Sequence, residues 1–133
     1  MEIKIIFVFL ITLVLILIID FLWLGVFAKN LYKNELGELS KQKFNLYSAL
    51  VVYLVLALGI VFFVLNNNLS GSYYSVFLIG ALFGLIVYSV YDFTNHAVIK
   101  DWSLRLTIID IIWGSFLCSV VSLVSRYFSD LIL

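Results

Sequence analysis

Four long apolar stretches divide the chain, at 4–28, 46–66, 73–97 and 104–128, with short polar segments between them. Each is long enough to cross a bilayer as a helix, which takes about 20 residues. Hydrocarbon offers a backbone no water to bond, so a spanning segment must close its own hydrogen bonds; the pattern predicts helix for all four. The chain contains no proline, and no proline kink is expected. Between the second and third stretches, "NNNLSGSY" is a polar turn short enough to make them antiparallel neighbours. Between the first and second, "KNLYKNELGELSKQKF" is charged and is expected at the membrane surface, in part as a short helix.

Composition turns this pattern into a class. The 133 residues are 65% hydrophobic and 12% charged, with a mean hydropathy of +1.19. A water-soluble core of that size could not hide so much apolar surface. The expectation is a single all-α domain, an integral membrane four-helix bundle. Lys29, Lys33, Lys41, Lys43, Lys100 and Arg105 flank one side of it, against Lys4 and Arg126 on the other. Excess cations mark cytoplasmic loops, so both termini are expected outside the cytoplasm, in a multi-pass protein of the cell membrane. The first apolar run is too long, and lacks the small-residue ending, for a cleaved signal. Net charge is zero, which gives no reason to expect nucleic acid. A lone Cys118 allows no intramolecular disulfide and no thiolate metal cluster. Asn68-Leu69-Ser70 matches a glycosylation sequon that an Asn-rich turn produces readily by chance.

Three acids interrupt the apolar runs: Asp20 in "LILIIDFLWLG", Asp92 in "VYSVYDFTNHA" and Asp110 in "LTIIDIIWGS". At 1.5 Å of rise per residue, Asp20 lies about 13 Å before Lys29 and Asp92 about 12 Å before Lys100. Asp110 lies about 14 Å after Asp101 by the same rise. Because the first and third helices run inward and the fourth outward, all three reach one level in the cytoplasmic half of the bilayer. A carboxylate in hydrocarbon costs roughly 2.5–3.5 kcal/mol. A shared, partly wet pocket between helices, an intramembrane carboxylate cluster, explains three of them better than three separate lipid exposures.

Helical periodicity adds neighbours. At 100° per residue Gly80, Gly84, Tyr88, Asp92 and Asn95 share a stripe, with Tyr91 and His96 on its flanks. "GALFG" is a GxxxG pattern that lets another backbone approach closely. Thr107, Asp110, Trp113, Gly114 and Cys118 share a face of the fourth helix, and Trp23 sits one turn from Asp20 on the first. Trp23 and Trp113 suit either a substrate-stacking role or an interfacial one. The second helix offers no carboxylate or imidazole. Carboxylates with Asn and Tyr oxygens would suit a hard cation, but without paired histidines at helical spacing no metal or other cofactor is expected.

"IIDFLW" and "IIDIIW" place Asp and Trp identically on the first and fourth helices, which run in opposite directions. An inverted repeat would mirror the two acids about the midplane, whereas they share one depth; similar local chemistry accounts for the echo. "DFLWLG", "LYKNELGEL", "GALFGLIVYSVYDFTNHAVIKDW" and "DIIWG", in that order and over nearly the whole chain, resemble the domain of unknown function 2177 family of membrane proteins. The resemblance implies a small bacterial membrane protein of four helices and carries no catalytic role to any residue. His96 stands where the family leads one to expect a small or apolar side chain.

Function is therefore read from the acids. The leading expectation is proton- or cation-coupled transport, or binding, of a small molecule at Asp20, Asp92 and Asp110. Tyr88, Tyr91, Asn95, Trp23, Trp113 and His96 accompany them, while Gly80, Gly84 and Gly114 pack helices. The alternatives are an integral-membrane enzyme acting on a lipid-like substrate by carboxylate acid–base chemistry, and an assembly partner within the membrane. Four helices enclose little space, which favours a homodimer in the lipid bilayer around a small cation or lipid-like ligand.

Overall fold

The computed structural model describes residues 2–41, 43–66 and 71–132, and among them there are helices and no strand. The sequon at Asn68-Leu69-Ser70 lies outside the described residues. Four helices are long and apolar enough to span a membrane: Glu2–Phe27, Leu46–Leu65, Tyr73–Val98 and Leu104–Ile132. Their bounds fall within two residues of the hydropathy pattern at most ends, because bilayer thickness and the first charged side chains set both.

Helix α1, Glu2–Leu22, continues into a π-helical stretch, Trp23–Phe27, and the short α2, Lys29–Leu36, follows. Gly37, at φ 52°, adopts the left-handed backbone that ends α2. Helix α3, Leu46–Gly59, begins at Asn45, whose side-chain oxygen accepts from the Ser48 N–H at 3.2 Å, and it continues as a second π stretch, Ile60–Leu65. Helix α4, Tyr73–Val98, is capped by Ser72 Oγ, which accepts from the Ser75 N–H at 3.1 Å. A tight turn with Asp101 at φ 62° leads to α5, Leu104–Ile132, where Ser103 Oγ accepts from the Leu106 N–H at 3.0 Å.

Burial follows a membrane pattern. Large apolar side chains face outward along every helix, among them Phe21, Val55, Phe62, Val90 and Ile112, while Thr12, Asp20, Asp92, Thr107, Asp110, Ser119, Ser122 and Ser125 are inside. Lipid tails are as apolar as leucine, so an apolar side chain loses little by facing outward; inside, polar groups that bond across helices share the interior with Ile16, Ile60, Val64, Leu117 and Val121. Helix α5 is the centre of the bundle. Its buried positions, Thr107, Asp110, Gly114, Cys118, Val121 and Ser125, recur every three or four residues.

Helix α4 packs along α5 through the GxxxG glycines. A Cβ on Gly80 would stand 2.8 Å from the Cys118 carbonyl oxygen, and one on Gly84 would collide with the Gly114 backbone. The motif therefore serves packing within the chain. Helix α1 crosses α5 with Thr12 Oγ1 donating to Ser125 Oγ at 3.0 Å. Helix α3 behaves differently: its backbone leans on α1 alone, and only its continuation Ile60–Leu65 approaches α4 and α5. The Ile60–Leu65 stretch thus meets α4, while α3 itself parts from α4 toward the end that carries α2. That splay makes the site.

Candidate functional site

Between α3 and α4 lies a cavity of about 730 Å³, within the range of small-molecule pockets, about 300–1,000 Å³. Its walls toward the Ile60–Leu65 stretch are apolar: Val52, Val55, Leu56, Phe63, Phe83 and Val87. Toward α2 the lining becomes polar, with Asp20, Asp92, Asp110, Tyr32, Tyr53, Tyr88, Tyr91 and Trp102. Val52 and Val55 are 60% and 62% exposed, so the apolar flank opens sideways, where the bilayer would lie. From Phe83 to Asp92 the cavity follows α4 for nine residues, about 14 Å of helix.

The three acids differ in how they are held. Asp20 is saturated: Tyr53 Oη donates to Oδ2 at 2.6 Å and Trp113 Nε1 to Oδ1 at 2.9 Å, which ties α1 to α3 and α5. Asp110 accepts from the Tyr32 hydroxyl, which in turn accepts from Trp23 Nε1 at 3.1 Å. Asp92 is 1% exposed, and no donor among the described residues reaches either of its oxygens. It stands within hydrogen-bonding reach of Asp110. Two ionised carboxylates have only acceptors to offer, so that approach becomes a bond only when one of them carries a proton.

Helix α2 reaches the cavity because one of its faces is apolar. Tyr32 and Leu36, one turn apart, both line it. Glu35 anchors the outer face, accepting from Ser103 Oγ and pairing with Arg105 at 3.4 Å. Burial, with Asp110 beside it, holds the Tyr32 phenol far above its ordinary range, so Tyr32 stays a donor at any physiological pH.

The two Asp-x-x-Trp motifs are exchanged between antiparallel helices. Trp113 on α5 serves Asp20 on α1, whereas Trp23 on α1 reaches Asp110 on α5 through Tyr32. The indoles themselves stack, with centroids 4.3 Å apart and planes 7° from parallel. Their rings are spent on each other and neither lines the cavity.

Asn95 and His96 do not line the cavity either. Asn95 is half-buried beside Tyr91, and His96, in the last turn of α4, is exposed. Gly114 lies against the Tyr88 ring, which its missing side chain accommodates. Among the described residues no three His, Cys, Asp or Glu side chains are placed to hold a metal ion. Sequence reasoning passed over Tyr32 and Tyr53. The Tyr32–Leu36 pair in an otherwise charged segment, and a lone hydroxyl in "SALVVYLVLALG", were the available signals.

Loss of Asp20 isolates the structural part of this network. Asp20→Leu leaves the Tyr53 hydroxyl and the Trp113 N–H without an acceptor, and unfolding in mixed detergent–SDS micelles should become easier by about 1–3 kcal/mol. Tyr53→Phe, which removes one bond, should cost about 0.6 kcal/mol, near the average for such bonds in a membrane. An Asp20→Leu protein as stable as the parent would show that the bonds hold nothing.

No curated protein and no solved structure matches the chain. The model of one family, described as a predicted membrane protein and designated DUF2177, matches residues 5–127. Four apolar helices and a match over nearly its full length agree: the chain belongs to the DUF2177 family of predicted membrane proteins.

Proposed function

We propose that this integral membrane protein binds a lipid-like amphiphile at an intramembrane carboxylate cluster. The molecule slips sideways between α3 and α4 and sets its polar end against Asp92 and Asp110. One observation carries the reading: a single cavity joins an apolar flank open at Val52 and Val55 to a polar end where Asp92 is buried without a donor. A water-borne solute would gain nothing from the apolar flank, and a plain packing defect would not retain an unpaired acid. Binding in the half of the bilayer to which the cation count assigns the cytoplasm, coupled to proton movement on Asp92 and Asp110, would let the protein carry or present its ligand.

The test is to block the way in. Val55→Trp places an indole across the opening without touching the acids. Lipid extracts of purified protein, analysed by mass spectrometry, should show an amphiphile retained by the parent through extensive washing and lost from Val55→Trp at least tenfold. Equal retention by both proteins would sink the proposal.

The same site supports a second reading, carboxylate acid–base catalysis on that molecule. Asp110 is bonded to Tyr32 while adjacent Asp92 is not, and unequal surroundings are what separate an acid from a base in a carboxyl pair. A ligand recovered chemically altered after incubation with the protein would favour catalysis. One recovered intact, with flux in proteoliposomes under a pH gradient, would favour transport.

A further inference from the structure

We infer that the polar end of the ligand is cationic, a protonated amine, and that it enters in exchange for a proton held between Asp92 and Asp110. This rests on the proposed binding of an amphiphile in the cavity between α3 and α4.

Charge is the first argument. The lining contains three acids and no lysine, arginine or histidine, so nothing there would meet a phosphate or carboxylate head. Bringing an anion beside Asp92 would add like charge in a medium that screens little. Partner supply is the second. Both oxygens of Asp20 are taken and Asp110 is engaged by Tyr32, whereas Asp92, 1% exposed and lining the cavity, has acceptor capacity with no donor to fill it. An ammonium brings only donors. The third is the wall chemistry. Tyr32, Tyr53, Tyr88, Tyr91 and Trp102 surround the polar end, and aromatic faces attract a cation by about 0.5–2 kcal/mol each where water is excluded.

The exchange balances. In the empty cavity one proton bridges Asp92 and Asp110. As the ammonium arrives, that proton leaves to water and both acids face the cation ionised, so the net charge in the cavity does not change. The groups facing Asp92 are Asp110 from α5, Asp20 from α1, Tyr32 from α2, Tyr53 from α3, and Tyr88 and Tyr91 from α4. The phenols are donors throughout, and the carboxyl pair alone gives up the proton.

Three probes with one tail and different heads test this: dodecylamine, dodecanol and dodecanoate, titrated calorimetrically into full-length protein in nanodiscs. Val55→Trp nanodiscs measure partition into the lipid and are subtracted. The expected result is amine affinity at least tenfold above that of the alcohol, no saturable binding of the carboxylate, and release of close to one proton per amine, read from two buffers of different ionisation enthalpy. Asp92→Asn should lose both the amine preference and the proton release. Amine and alcohol binding alike overturns the cationic head while leaving the cavity's function intact. Binding of every probe that Val55→Trp does not diminish overturns the amphiphile site itself. An amine preference that survives in Asp92→Asn places the cation elsewhere and overturns the exchange.

Discussion

Gly84→Ala should lose about 3 kcal/mol of stability, a severe effect for one methyl group. Its Cβ would lie 2.8 Å from the Gly114 carbonyl carbon and 2.9 Å from Cys118 Cβ, and closer still to the Gly114 carbonyl oxygen. Overpacking costs about 1–3 kcal/mol when side chains can yield. Here the obstacle is the backbone of α5, which cannot step aside without moving the helix, so the upper end applies. About one and two turns further along the same contact lie Tyr88 and Asp92 with their α5 partners, and displacement would open the acid pair as well. Gly25→Ala is the control, since its Cβ would meet only the Phe21 ring at an ordinary 3.7 Å. The measurement is unfolding in mixed dodecyl maltoside–SDS micelles followed by tryptophan fluorescence. Gly84→Ala unfolding together with the parent would mean that α4 and α5 are not packed at these glycines.

Asp92→Leu should do the opposite: stabilise the protein by about 2 kcal/mol while ending ligand binding. A buried acid whose only neighbouring partner is a second acid costs about 1–3 kcal/mol, because the pair must hold a proton to bond at all, and a leucine of similar reach removes that cost while filling part of the adjoining cavity. The three acids are therefore not interchangeable. Asp20→Leu weakens the bundle because two donors depend on it, whereas Asp92→Leu strengthens it because none does. A side chain retained at a cost to stability is the mark of a site with work to do. The same micelle titration reads stability, and the nanodisc titration reads binding. A destabilised Asp92→Leu would place Asp92 within the supporting network and remove the main ground for a ligand.

The two classes of substitution also show which features hydropathy could reach. Length and apolarity dictate four spans, because bilayer thickness and the backbone's need for internal bonds admit little else, and the structure begins its spans near 4, 46, 73 and 104 as the pattern does. Gly80 and Gly84, at GxxxG spacing, point to close helix contact, and they pack on α5. The depth of each acid follows from counting residues at a fixed rise, so Asp20, Asp92 and Asp110 could be assigned a level before any fold was known. Tyr88 and Tyr91 follow from the stripe that holds Asp92.

Which neighbour each side chain meets is a lateral question, and a one-dimensional pattern is silent on it. Trp23 and Trp113, which suited a ligand-stacking or an interfacial role, stack on each other where the end of α1 meets α5, and their N–H groups go to Tyr32 on α2 and to Asp20 on α1 respectively. His96, four residues beyond Asp92, sits outside the cavity because the end of α4 has already cleared the bundle. Tyr32 enters from a segment whose charge reads as surface, since a short amphipathic helix folds its apolar face inward, and Tyr53 matters only because α3 leans on α1.

By itself the sequence determined four apolar helices long enough to cross a membrane and how far along them each acid falls, since both follow from residue count and axial rise. Only the tertiary structure decided that α3 and α4 part, that Asp20 is saturated while Asp92 is left without a donor, and that the space between them opens sideways. Those outcomes depend on helix rotation and crossing, which side-chain packing sets collectively and no single segment encodes.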